Sequence, residues 1–305
     1  MSVDPALVPL FKLLPDLALI GLGALLAKRI DPAGWRALDK LNFSVLFPAL
    51  LFVAASSKPI ALNDIFAIGF AAWGILGLGF AGGYVLRRYG PQNWVDFAGA
   101  WQTAWRFNTA LAFVAVQAFP DSVAGFLAVA IGMAVPMANA LAVGALTGKN
   151  GSPRKQVLEI AVNPFLVASL GGVVVGVTGI PVPEVPSLVA GRLADAALPL
   201  TLISIGAALD WSIVFRLTRF NAGLHAVKLF VLPGAVLAVC LATGVPGPIC
   251  AALTLFSALP TASAAHVLAA RYGADRTLVA GIVTQSSVIG CISLPLWCYV
   301  LLHLA

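Results

Sequence analysis

Arg106 is the residue whose place most needs a chemical reason. It stands near the centre of an apolar segment, where a charge costs roughly 2.5–3.5 kcal/mol on insertion scales. Such a charge is kept only beside a partner, a water-filled cavity or a ligand. A guanidinium offers a planar fork of donors that suits a carboxylate, and Gln102, Asn108 and Thr109 add neutral polar groups close by. Binding of a small organic anion fits this pattern. An arginine that ties down backbone carbonyls, or that pairs with an acid from elsewhere, fits it as well.

Pro260 is the second centre of chemistry. It lies within another apolar run, lacks an N–H donor and clashes with the preceding turn, so it breaks or kinks a helix. Ser257, Thr261 and Ser263 stand ready to satisfy the freed backbone groups or to touch a ligand. A kink healed by neighbouring hydroxyls is the plainer reading. A true break at mid-membrane would leave half-helix ends that bind ions and substrate. His266, six residues on, has the side chain best suited to carry a coupling proton near neutrality, although a lone histidine on an apolar helix more often serves packing. Thr284, Gln285, Ser286 and Ser287 make a dense polar patch fit to line a cavity. Asn139 and Asn163 read as buried amides that join helices, and Asp16 and Asp195 as partners for Arg106, Lys12 or Arg192.

The elements that position these residues follow from composition. Of 305 residues 60% are apolar and 10% charged, against about 25% charged in soluble domains. Apolar runs of about 20 residues cross the hydrocarbon as helices. Ten such segments are expected, near 6–27, 37–56, 62–86, 94–119, 122–147, 157–179, 188–209, 220–243, 248–270 and 276–303. The first runs into Lys28 and Arg29 and reads as a retained span rather than a cleaved signal. Fourteen of the 18 basic residues fall in odd-numbered connections, Arg87, Arg88, Arg216, Arg219 and Lys228 among them. Positive connections stay in the cytoplasm, which turns both termini outward from an inner membrane. The net charge of +6 is spread in twos and threes and forms no basic face for nucleic acid. Cys240, Cys250, Cys291 and Cys298 lack metal-ligand spacing and read as small buried hydrophobes. Gly79 and Gly83, and Gly172 and Gly176, have the spacing of close helix contacts.

The two halves also echo each other. Leu46-Phe47-Pro48-Ala49-Leu50 matches Ala197-Leu198-Pro199-Leu200-Thr201, Asn108-Thr109-Ala110 matches Pro260-Thr261-Ala262, and Asp121 matches Asp275, at offsets of 151, 152 and 154. A repeat of five spans, 1–150 and then 151–305, must enter the membrane the second time upside down. Inverted repeats with a midplane site are a recurring plan of secondary transporters.

Asn163-Pro164 with Gly171-Gly172, Leu198-Pro199-Leu200 with Gly206-Ala207, Leu259-Pro260-Thr261-Ala262-Ser263, Tyr272-Gly273-Ala274-Asp275, Thr284-Gln285-Ser286-Ser287 and Leu294-Pro295-Leu296 form one larger pattern. The pattern resembles the auxin efflux carrier family, relatives of the bile-acid sodium symporters, whose bacterial members include carriers of malonate and other small carboxylates. The resemblance implies an all-α membrane protein of ten helices in two inverted repeats. Helices one, two, six and seven would form a scaffold, and three to five with eight to ten a transport unit in which broken helices four and nine cross. Pro260 matches the family's helix-breaking proline in segment nine. Segment four departs from the pattern, running from Asn108 to Pro120 without proline, so its break is gentler or centres on Asn108.

The function expected is a secondary transporter that moves a small carboxylate by alternating access. Gln102, Arg106, Asn108, Thr109, Pro260, Thr261, Ser263 and Gln285 are the expected substrate site, Asn108 and Pro260 the crossover, and His266 the proton carrier. A sodium-coupled symporter of a larger organic anion and a passive channel are the alternatives. Beyond the substrate and the bilayer, a coupling proton or sodium ion and a second copy in a homodimer are the partners such a carrier admits. No cofactor, metal or catalytic residue is expected. Ser263 and His266 lie one turn apart without a nucleophile motif or HExxH, and no Gly-rich loop ends in Gly-Lys-Ser/Thr.

Overall fold

A backbone in hydrocarbon has no water to bond to and must satisfy its own N–H and C=O groups, which a helix does within one segment. The computed structural model describes residues 14–56, 62–147, 161–208, 216–262 and 265–304. Every regular element among the described residues is helical, as the apolar runs require. These are α1 (Leu14–Leu26), α2 (Pro32–Ser56), α3 (Leu62–Val85), α4 (Trp94–Trp101), α5 (Thr109–Val116) and α6 (Asp121–Thr147). The second half supplies α7 (Pro164–Thr178), α8 (Glu184–Ala208), α9 (Arg219–Thr243), α10 (Gly247–Ala258), α11 (Ala265–Arg271) and α12 (Arg276–Leu304). Six of them, α2, α3, α6, α8, α9 and α12, are long and apolar enough to cross a bilayer. Large apolar side chains cover their outer faces, among them Phe66 at 59% and Ile292 at 74% exposure, which suits lipid and not water. The chain is a multi-pass membrane protein.

Local sequence sets the helix ends. Asp31 caps α2, its carboxylate accepting the Gly34 N–H at 2.6 Å with Pro32 in the first turn. Asn163 caps α7 in the same way, accepting the Phe165 N–H at 3.0 Å ahead of Pro164. Its amide therefore starts a helix rather than joining two. Thr218 caps α9 through the Asn221 N–H. Gly179 and Gly244, at φ +65° and +67°, end α7 and α9 in the left-handed region. Inside α9, Pro233 cannot bond the carbonyl of Leu229, and the Trp297 indole N–H of α12 takes that carbonyl at 2.8 Å instead.

Two sets of helices result. α1 lies along α8, and α2 along α7. Glycine makes the first pair a backbone contact: a Cβ on Gly206 would stand 1.8 Å from the Ile20 carbonyl, and one on Gly23 1.9 Å from that of Ile203. Gly172 does the same for α7 against Phe52 of α2. α6 touches α2 and α7, and also α3 and α10. Gly79 and Gly83 let α3 approach the turn after α4, where a Cβ on either would come within 2.6 Å of Ala104. Both bear out their reading as close contacts. The thiols of Cys240, Cys250 and Cys298 are buried and Cys291 is half-buried, all of them free.

Candidate functional site: two helix breaks joined by hydrogen bonds

α4 tightens through a 3₁₀ turn at Gln102–Ala104 and then stops. The chain restarts at Asn108, whose backbone is extended (φ −92°, ψ 105°) and whose side-chain oxygen accepts the Ala110 and Leu111 N–H groups at 3.1 and 3.4 Å. No proline is needed, because an N-cap asparagine offers the backbone a better start than a continued helix. α10 stops at Ala258, with Leu259 extended at ψ 137°, and the chain restarts as α11 at Ala265. The two breaks touch. The Asn108 N–H donates to the Pro260 carbonyl at 2.8 Å. The Thr261 N–H donates to Ser286 Oγ of α12 at 3.1 Å. A Cβ on Gly290 would lie 2.1 Å from Pro260 Cγ, so glycine lets α12 press against the break.

Arg106 sits in the first break. One guanidinium nitrogen donates to Gln102 Oε1 and the other to Asn139 Oδ1 of α6, both at 3.0 Å. Gln102 in turn donates to the Ala265 carbonyl of α11 at 3.3 Å. This chain of bonds fixes the fork against both breaks. Its acceptors are neutral amides, and among the described residues Arg106 makes no ion pair with a carboxylate. Asp195 does not reach it; it lies on the exposed side of α8, and the side chain of Asp16 lies outside the described residues. Asn108 is 4% exposed, and its Nδ2 has no partner among the described residues. The Thr261 hydroxyl, at 1% exposure, is in the same position.

The other expected site residues fall into three places. Thr109 opens α5 and is half-buried. Ser263 lies outside the described residues. His266 is on α11 and interacts electrostatically with Asp39 of α2, whose carboxylate holds the Ser204 hydroxyl of α8. Gln285 belongs to a separate network between α9 and α12. Its Oε1 takes the Asn221 amide and the His225 ring nitrogen, each at 3.2 Å, and its Nε2 donates to the Arg216 carbonyl at 3.0 Å.

Lys228 departs from its expected place among the connection charges. It is 3% exposed inside α9, in a π-turn at Val227–Val231, and its ammonium donates to the Ser257 carbonyl of α10 at 3.2 Å. The cytoplasmic excess of positive charge loses one member. The overlooked signal was spacing: Asn221, His225 and Lys228 recur at i, i+4 and i+7, which puts three polar side chains on one helix face. Among the described residues, no cluster of three or more His, Cys, Asp or Glu is placed to hold a metal ion.

Paired helix breaks deep in an apolar bundle, lined by buried amides and a guanidinium, are the kind of feature on which membrane transport proteins build their binding sites. Residues 151–298 match a family described as membrane transport protein, and the resemblance to the auxin efflux carrier family is borne out on that half of the chain. A protein of Methanothermobacter thermautotrophicus named "uncharacterized transporter" is 30% identical over 142 residues, 45% of this chain and 45% of its own length. The match thus spans less than half of that relative.

Proposed function

We propose that the protein is an alternating-access carrier of a small organic anion, of the size and charge of malonate. Residues 1–150 and 151–305 act as inverted five-helix repeats. α1, α2, α7 and α8 are the scaffold, and α3–α6 with α9–α12 carry the substrate past it. The exchange of halves in the packing supports this plan, since the first helix of each half lies on the second helix of the other.

The observation that carries the reading is the state of the donors at the junction. Asn108 spends its backbone N–H on Pro260 and keeps Nδ2 unpartnered among the described residues, while the neighbouring guanidinium is held in place by neutral oxygens. A buried donor without an acceptor costs about 1–3 kcal/mol, and a buried cation without an anion costs more. A carboxylate satisfies both at once, and it also faces the N–H end of α5. Gln102, Thr109 and Thr261 complete the lining.

Uptake of a panel of small carboxylates into proteoliposomes tests this. Saturable uptake of malonate or a close relative, lost in Arg106→Ala protein that still folds, is the expected result. Movement of other solutes with no anion among them discards the substrate class, and retained uptake with normal affinity in Arg106→Ala discards the role of the arginine.

A further inference from the structure

The carbonyl end of a broken helix is negative and attracts cations, so carriers with such helices place their coupling sodium or proton there. α10 ends in this way beside the crossover, two residues before Pro260. A cation is already present. The Lys228 ammonium, reaching across from α9, lies 3.2 Å from the Ser257 carbonyl in the last turn of α10. Lys228 is 3% exposed and makes no ion pair with a carboxylate among the described residues. Asn221 and His225, on the same face of α9, bond Gln285 of α12 and bring no carboxylate to that side. The charge therefore answers to the end of α10 itself. Local structure holds it there, because the π-turn at Val227–Val231 shifts the register of the helix face, and Trp297 fixes the next carbonyl. One turn earlier on α10, the Thr254 hydroxyl is fully buried and has no partner among the described residues.

We propose that Lys228 is a tethered counter-ion: its ammonium fills, at the carbonyl end of α10, the place a coupling sodium ion would take, so that this carrier binds no sodium. Removing the side chain opens the place to a small alkali cation. The proposal deepens the carrier reading and rests on it for the word "coupling", but its test does not depend on the substrate.

Thermal unfolding of the purified protein in detergent, in choline, sodium or lithium chloride at equal ionic strength, reads the site directly. The wild-type midpoint is expected to be the same in all three salts. Lys228→Ala is expected to melt lower in choline and to rise by about 3 °C or more as sodium or lithium is added, saturably, as a ligand bound to the folded state requires. Lys228→Met keeps the stem, leaves no room for an ion, and should melt low in every salt. A wild-type midpoint that climbs with sodium overturns the proposal. So does Lys228→Ala protein indifferent to both alkali cations, whether its midpoint falls or not. Malonate uptake by the same preparations separates the two readings: absent uptake with the expected melts removes the substrate class alone.

Discussion

Arg106 and Asn108 divide the work at the first break, and substitutions can separate their parts. Arg106→Ala removes a charged donor fork, and uptake should fall roughly 10–100-fold, the range set by hydrogen bonds to charged groups. Arg106→Lys should rescue little, because an ammonium cannot hold Gln102 and Asn139 together while presenting a second pair of donors. Asn108→Asp keeps the oxygen that caps α5 and loses the free Nδ2, so its melt should stay near wild type while uptake falls. Asn108→Ala loses the cap as well and should cost about 1 kcal/mol in an unfolding measurement. A fall of both variants in stability, in step with uptake, would leave Nδ2 with no role in binding. At this scale the sequence was legible where a side chain broke a pattern. A charge within an apolar run made Arg106 conspicuous, and it does sit at the break. Lys228 escaped because a lysine ten residues into a helix can extend its stem to the interface, and only the direction of its side chain, which tertiary packing decides, says otherwise.

Helices in this molecule end where a cap or a proline tells them to, and two of them end in the middle of the bundle. The second break depends on how closely α12 lies against it. Gly290→Ala drives a methyl into the Pro260 ring, and overpacking of this kind costs about 1–3 kcal/mol; the unfolding midpoint should drop and uptake should go with it. Gly144→Ala is the control, since nothing lies within 4 Å of a Cβ there, and a helical alanine should stabilise by about 0.5–1 kcal/mol. Equal behaviour of the two variants would remove the close approach as a determinant of the break. The apolar runs foretold most element limits to within a few residues, α8 at Glu184–Ala208 against an expected 188–209 for instance. They did not foretell the turn at Gln102–Ala104 or the π-turn at Val227–Val231. Neither changes the hydrophobic period enough to be read from it.

Across the whole molecule, the charge asymmetry makes a claim about sidedness. The exposed Arg88, beside the turn that joins α3 to α4, should face the cytoplasm, and Thr243, at the end of α9, should face outward. Arg88→Cys in a chain without its four native cysteines should react with an impermeant thiol reagent only from the cytoplasmic side, and Thr243→Cys only from the outer side. Labelling of both from one face would break the orientation. The apolar runs pointed to the membrane and the all-helical class at once, because continuous runs of about 20 apolar residues suit a spanning helix, whereas barrel strands are about ten residues long and alternate. Which helices lie side by side was not legible, since the contacts of Gly23 with Ile203 and of Gly206 with Ile20 join residues about 180 positions apart.

The bond between Asn108 and Pro260 also has a history during synthesis. Its acceptor is made 152 residues after its donor, a delay of roughly 8–30 s at ribosomal speed. For that time the first half sits in the bilayer with an open break, a half-buried arginine and backbone groups that nothing downstream yet satisfies. A ribosome that stalls in α9 leaves a product that is threaded through the membrane but unfinished at its centre, and such a fragment is a natural substrate for membrane proteases. Chains released before α10 should therefore be short-lived in cells, with a pulse-chase half-life well below that of the full chain.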